Sequence, residues 1–226
     1  MTLEKPEKSR SKKILLASLD IFINLVVIIV LVLVIQRWII APFDVSGASM
    51  CDTLNQIDGK CADLKGEKII INEAIYMFND PERGDIVVFK VPETEDTYYI
   101  KRIIGLPGDT IEIKEGEIFI TTAGTKKSIK IKENYLNSTN RDNTQVSFSG
   151  LSVFEVPEEH YFVMGDNRGS SADSRSCFNK YPELDCKKHP EKAFIERSAI
   201  RGKTWLIWWP LKNMRSLDKT TYPELE

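Results

Sequence analysis

A run of apolar residues from Ile14 to Ile35, interrupted by Ser18, Asp20 and Asn24 in its first half, constrains the chain most. As a helix rising ~1.5 Å per residue, it is long enough to cross a hydrocarbon core of ~30 Å. From Leu25 to Ile35 it is apolar on every face, which disfavours a core helix of a soluble protein. A cleavable signal sequence would have an apolar core of about 7–15 residues ending at a small-x-small site. Here the run ends in Gln36-Arg37-Trp38-Ile39-Ile40 instead. The reading is an uncleaved anchor over 14–36, behind a basic N-terminus over 1–13. Lys5, Lys8, Arg10, Lys12 and Lys13 precede the run and essentially one basic residue follows it, so the N-terminus is expected in the cytoplasm and residues 37–226 outside.

Of the 226 residues, 31 are basic and 33 acidic, a balance that gives no support to nucleic-acid binding. Strand patterns dominate after the anchor, and no long stretch has helical periodicity. The expected fold is mainly β, antiparallel, behind one transmembrane helix. Thr110–Ile120 reads as a hairpin turning at Lys114-Glu115-Gly116-Glu117. The polar stretch of about 121–152 reads as a secondary lobe, and its Asn137-Ser138-Thr139 sequon carries no weight. In Trp205-Leu206-Ile207-Trp208-Trp209, alternation puts Trp205, Ile207 and Trp209 on one face, and Leu206 and Trp208 on a face suited to a membrane interface.

Cys51, Cys61, Cys177 and Cys186 fall into two local pairs, which suggests two staples, although four cysteines permit three connectivities. The second pair brackets an insertion of about 176–195. Intervals of nine and eight residues do not resemble a zinc knuckle, so no metal is expected.

Three segments carry chemical interest. Small residues surround Ser49 in Ser46-Gly47-Ala48-Ser49-Met50-Cys51-Asp52-Thr53-Leu54, and glycine there lets another backbone approach closely. Lys101 lies within the apolar strand Tyr98–Ile104. The loop Gly165–Arg175 follows the apolar strand Tyr161–Met164 and is dense in short polar side chains. A serine hydroxyl needs a base to become a nucleophile. Neither His160, at a strand entrance, nor His189, in Lys187-Lys188-His189-Pro190, has a context suited to that task. A lysine in a strand ordinarily snorkels or meets a carboxylate, but a desolvated one can act as a base. At a reference pKa of about 10.4, roughly one lysine in 2,500 is neutral at pH 7. Lowering that pKa by about 2–3 units takes ~3–4 kcal/mol, which burial can supply.

Taken in order, Ser46–Leu54, Gly84–Phe89, Tyr99–Asp109 and Gly165–Arg175 resemble the boxes of type I signal peptidases of the single-anchor, Gram-positive-like branch. The resemblance spans the anchor and most of the domain through Pro210. It implies a coiled antiparallel β-sheet domain and a membrane-bound serine endopeptidase that cleaves exported preproteins after Ala-x-Ala sites, without metal or organic cofactor. Ser49 would be the nucleophile and Lys101 the base. Ser171 would orient the amine, Asp173 and Arg175 would form a structural ion pair, and the Ser49 amide would meet the oxyanion. At Gly47 one branch has an assisting serine, so here only main chain or water could help. Met50, Leu54, Tyr99 and Ile100 would line the substrate pockets. Expected partners are exported preproteins, membrane lipid and a secretion translocon.

The chain departs from that pattern at two places. Asp52 stands where the family has proline, and a carboxylate close to Lys101 would stabilise the ammonium and oppose catalysis. Gly169 and Ser170 replace the usual Asp-Asn. Two alternatives are a silent membrane-anchored peptide-binding module and a Ser/Lys processing peptidase with a narrow client.

Overall fold

The computed structural model describes residues 10–57, 59–62, 65–91, 97–146, 150–178, 186, 188–217 and 219–225. Residues 1–9, with Lys5 and Lys8, and residues 179–185 and 187 of the bracketed insertion lie outside them. The chain divides after Ile40 into two units. The first contains α1, Arg10–Trp38. Within it Lys12–Ile35 is long and apolar enough to cross a membrane. Its interior has neither Gly nor Pro, and apolar side chains such as Leu15, Phe22, Ile28 and Leu33 are exposed around it. Pro42 lies just beyond, where a helix cannot continue.

The second unit is built of antiparallel strands. They are β1 (Ile40–Ser46), β2 (Gln56–Ile57), β3 (Lys60–Cys61), β4 (Lys65–Asn72), β5 (Ile86–Lys90), β6 (Tyr98–Gly105) and β7 (Thr110–Lys114). There follow β8 (Glu117–Thr121), β9 (Ser128–Lys130), β10 (Val153–Glu155), β11 (His160–Met164), β12 (Ile195–Glu196), β13 (Ile200–Trp209) and β14 (Arg215–Ser216). The larger sheet runs β1-β4-β13-β5-β6-β11-β12, with β14 beside β13. A second sheet runs β10-β7-β8-β9, and β2 and β3 form a small hairpin.

The turn between β7 and β8 is the one expected at Lys114–Glu117. Glu115 and Gly116 both have positive φ, the requirement of a two-residue hairpin turn. The polar stretch after Thr121 supplies β9 to that sheet and buries Ile131 and Leu136. Phe162 of β11 packs 4.7 Å, centroid to centroid, from Phe154 of β10, and so ties the two sheets together.

Burial along β13 differs from strict alternation. Ile207 is buried, but Trp205 and Trp209 are exposed, and Leu206 and Trp208 are half-buried. The register against β4 shifts between Thr204 and Leu206 and again between Ile207 and Trp209. Each shift adds a residue to one strand and re-aims the side chains after it.

β6 is central to the site. Its Lys101 opposes Val87 of β5, while Arg102 lies between Ile86 of β5 and Met164 of β11. Successive residues of a strand face opposite sides, so these two basic side chains serve different surroundings.

Removing the Phe162 ring takes out the contact between the sheets. Phe162→Ala is expected to lower unfolding stability by about 3–5 kcal/mol, read by chemical denaturation of the detergent-solubilised chain.

Candidate active site

Ser49 sits in a tight turn at the end of β1. Amides of Thr53 and Leu54 donate to the Met50 carbonyl at 2.8 and 2.7 Å, and Cys51 N–H donates to Ala48 O at 3.1 Å. Gly47 precedes it at φ +82°, which glycine adopts without strain. The far side of the turn is held by Asn55, whose amide nitrogen donates to the carbonyls of Gly47 (2.9 Å) and Ala62 (2.7 Å). A Cys51–Cys61 disulfide closes the same loop, and Cys177 pairs with Cys186.

Lys101, 3% exposed, extends from β6 to this turn. Its Nζ donates to Ser49 Oγ at 2.8 Å and to the Ile100 carbonyl at 2.8 Å. The Tyr99 ring centroid lies 5.1 Å from Nζ. The loop after β11 closes the other side of Ser49. Asn167 N–H donates to Ser49 O at 3.0 Å, and Asn167 Nδ2 to Ala48 O at 3.0 Å. The Ser49 amide makes no hydrogen bond among the described residues.

Ser171 lies beside these groups without bonding to Lys101. Its Oγ is buried and makes no well-formed hydrogen bond to a described residue, yet it acts on the Asp173 carboxylate as a weak donor that helps to hold that group down. A Cβ at Gly165 would meet Ser171 Oγ at 2.2 Å and Ser49 O at 2.4 Å, so glycine is what lets the two serines pack over this backbone. The orienting hydrogen bond expected of Ser171 is therefore absent from this arrangement.

Asp173 and Arg175 form a bidentate ion pair, with Nε–Oδ1 at 2.9 Å and Nη2–Oδ2 at 2.8 Å. Asp173 also accepts from Gly165 N–H at 3.0 Å, and so fixes the loop to the strand. Burial alone would raise the Asp173 carboxyl, but the Arg175 guanidinium and the hydrogen bonds outweigh it and hold the group below its usual range.

A groove of about 500 Å³ runs up to the serine and lysine. Phe43 to Gly47 form one wall and Thr97 to Lys101 the other, with Ile69 and Val88 also lining it. Tyr99 and Ile100 thus line the groove as expected. Met50 and Leu54 do not; both are buried in the core with Val45, Ile71 and Ile86. His160 accompanies the Glu158 carbonyl and His189 the Glu191 carboxylate, both apart from the groove. Asp52 also faces elsewhere, into a second cavity with Thr53, Arg102 and Tyr135. Among the described residues no cluster suited to a metal occurs.

Arg102 plays a structural part that the sequence reading did not assign. It is 2% exposed, and all five of its N–H donors are used. Two reach Asp166 at 2.9 and 2.7 Å, two reach Gly84 O and Thr220 Oγ1, and one reaches Thr53 Oγ1 at 3.3 Å. Thr53 in turn donates to Asp166 at 2.5 Å. Arg168 pairs with Glu133 and donates to Thr144 Oγ1 at 2.7 Å. The sequence signal for Arg102 goes only part of the way: an arginine inside an apolar strand must find a buried anion, but which anion is decided by the sheet that sets β11 beside β6.

A serine hydroxyl touching a buried amine at the end of a groove is an arrangement capable of acyl transfer. Comparison with known proteins names the family. The model described as "Signal peptidase, peptidase S26" matches residues 18–209. Signal peptidase I P of Bacillus subtilis subsp. natto is 31% identical over 218 residues, covering 95% of this chain and 98% of that protein. A signal peptidase I of Bacillus amyloliquefaciens is 35% identical over 214 residues, covering 93% and 98%. The crystal structure of a signal peptidase I from Enterococcus faecalis V583 aligns at 27% identity with a TM-score of 0.39, over 55% of this chain and 97% of that one. The chain belongs to the S26 signal peptidase family.

Because its folded pKa is lowered, the Asp173 carboxylate stabilises the fold fully above the unfolded value near ~3.9, and loses that contribution as pH falls through the folded value. Asp173→Asn leaves Arg175 buried with a neutral partner and is expected to cost about 3–5 kcal/mol at pH 7. Thermal melts between pH 3 and 8 should show the gap between variant and wild type narrowing toward the acid end.

Proposed function

We propose that this protein is a membrane-bound serine endopeptidase that removes signal peptides from exported preproteins, with Ser49 as nucleophile and neutral Lys101 as general base. The 2.8 Å contact between Lys101 Nζ and Ser49 Oγ carries the residue assignment. Membership of the signal peptidase family carries the substrate class.

The chemistry follows from the geometry. With the amine neutral, the Ser49 hydroxyl donates to Nζ and loses its proton there as Oγ attacks the scissile carbonyl. The oxyanion so formed can take the Ser49 N–H, which is otherwise unused, a contribution of the kind worth ~3–4 kcal/mol. Collapse expels the new amino terminus with the proton held by Lys101 and leaves an acyl ester on Ser49. That proton passes to the leaving amine, and the neutral lysine then takes a proton from water as the water attacks the ester. It returns this proton to Ser49 Oγ as the carbonyl–Oγ bond breaks and the new carboxyl terminus is released. Burial favours the neutral amine that both steps require.

The groove suits an extended peptide. One wall is β1 and the other the start of β6, so a substrate strand would find main-chain partners on either side. Val45, Ile69, Val88 and Ile100 give it an apolar lining, into which small side chains such as those of Ala-x-Ala fit. The apolar helix is long enough to anchor the chain in lipid, and the basic residues before it favour a cytoplasmic N-terminus with the peptidase domain outside. Preproteins arriving from a secretion translocon would then meet the groove at the membrane. The silent-module reading loses ground because the serine and the lysine are both present and in contact.

Detergent-solubilised protein should cleave a preprotein carrying an Ala-x-Ala site, while Ser49→Ala and Lys101→Ala should not. Between pH 6 and 10, activity should rise with pH as Lys101 loses its proton, with a midpoint well below the ~10.4 of free lysine. Cleavage that survives Lys101→Ala would mean another base. Binding without cleavage in the wild type would favour the silent module.

A further inference from the structure

Asp52, three residues after Ser49, has its carboxylate fully engaged by the polar segment that follows β9. It accepts from Asn137 N–H at 3.0 Å, from Asn137 Nδ2 at 2.6 Å, and from Asn140 Nδ2 at 3.1 Å to each oxygen. The clasp is itself preorganised. Asn137 Oδ1 accepts from the amides of Thr139 (2.8 Å) and Asn140 (3.0 Å), and Arg141 donates to the Leu136 carbonyl at 2.7 Å. Leu136 and Asn140 are both buried.

The same segment reaches Ser49 from the opposite side. Its Glu133 and Thr144 hold Arg168, and the adjacent Asn167 donates to the carbonyls of Ser49 and Ala48. A closed circuit of hydrogen bonds and short stretches of chain thus runs from Ser49 to Asp52, across to Asn137 and Asn140, along the segment to Glu133, across to Arg168, and through Asn167 back to Ser49. Asp52 is the link on one side of the nucleophile turn and Asn167 the link on the other.

Resting on the reading of Ser49 as nucleophile, we propose that Asp52, clasped by Asn137 and Asn140, is a positioning residue for Ser49, and that residues 133–144 therefore form a working part of the site. The clasp does by hydrogen bonding what a ring would do covalently. A proline at position 52 would fix φ without any partner, and among the described residues the Asp52 amide makes no backbone hydrogen bond that proline would remove. The carboxylate is turned to the asparagines and lines the second cavity, so the effect inferred is on the place of Oγ. Turn geometry matters at this scale, since displacement of a reacting atom by ~1 Å can cost up to about 100-fold in rate.

The test is steady-state cleavage of an Ala-x-Ala preprotein by the full chain in detergent, with the melting temperature of each variant recorded. Asp52→Ala is expected to lower kcat by about ten- to a hundredfold with KM within about twofold and the midpoint of the pH–rate profile unchanged. Asn137→Ala with Asn140→Ala should lower kcat similarly, and the triple variant should be no worse than either, as members of one circuit are not additive. Asp52→Pro should restore kcat and make it indifferent to the asparagine changes. Asp52→Asn, isosteric and keeping one acceptor oxygen, should fall between, and with Asp52→Pro carries the test should Asp52→Ala not fold. Wild-type kcat in folded Asp52→Asn and Asp52→Ala overturns the proposal, as does additivity with the asparagine changes. A shifted pH midpoint overturns it too, since the carboxylate would then act through its charge. Ser49→Ala in the same assay separates the two claims. If it still cleaves, the functional reading fails; if it is dead while the Asp52 series is flat, only the positioning role fails.

Discussion

The site depends on the burial of two consecutive basic side chains on opposite faces of one strand. Arg102 enters the protein with its charge matched, every N–H bonded and its guanidinium 3.9 Å from the centroid of the Tyr135 ring. Burial opposes that charge, and Asp166 reverses the balance and holds the guanidinium ionised. This pair fixes β6 in the sheet and joins it, through Thr53 and Asp166, to the turn that carries Ser49 and to the loop after β11. Lys101, one residue away, is thereby held against the Ser49 hydroxyl. A structural ion pair on one face thus helps to set the position of the Lys101 amine on the other.

That division explains why the polar loops around Ser49 are so heavily tied. Asp173 accepts from Gly165 and Arg175, Asn167 holds the Ser49 carbonyl, Asn55 holds the Gly47 carbonyl, and Asp52 holds the secondary lobe. Each bond is modest alone, of order 1 kcal/mol net, or somewhat more where a charge takes part. Together they leave the turn few ways to move. The groove, by contrast, is lined by strand residues whose places the sheet already determines.

Much of this could be read before any coordinates. The anchor followed from length and polarity, the hairpin at Glu115-Gly116 from its turn residues, and Ser49, Lys101 and the loop after Met164 from motifs in order. What could not be read was long-range pairing. Nothing local links Arg102 to Asp166, or Arg168 to Glu133, because each pair joins segments brought together only by the sheet. Asp52 looked like a threat to the lysine, yet its partners lie 85 and 88 residues away and its carboxylate is spent on them. Met50 and Leu54 were expected to line pockets, but the turn that presents Ser49 drives both into the core. The alternation through Trp205–Trp209 failed because two register shifts in β13 break the period, and a bulge leaves no mark in a pattern of apolar residues.

The central claim is that Lys101 is buried as a neutral amine able to take the Ser49 proton. Its protonation can be followed directly by NMR of the chain labelled with ¹³C at lysine Cε, with the Lys101 signal assigned by its loss in Lys101→Ala. The account predicts a titration midpoint at least ~2 units below the ~10.4 of an ordinary lysine. A midpoint at or above the ordinary value would mean that Lys101 is an ammonium throughout the working range, and the proposed mechanism would be wrong.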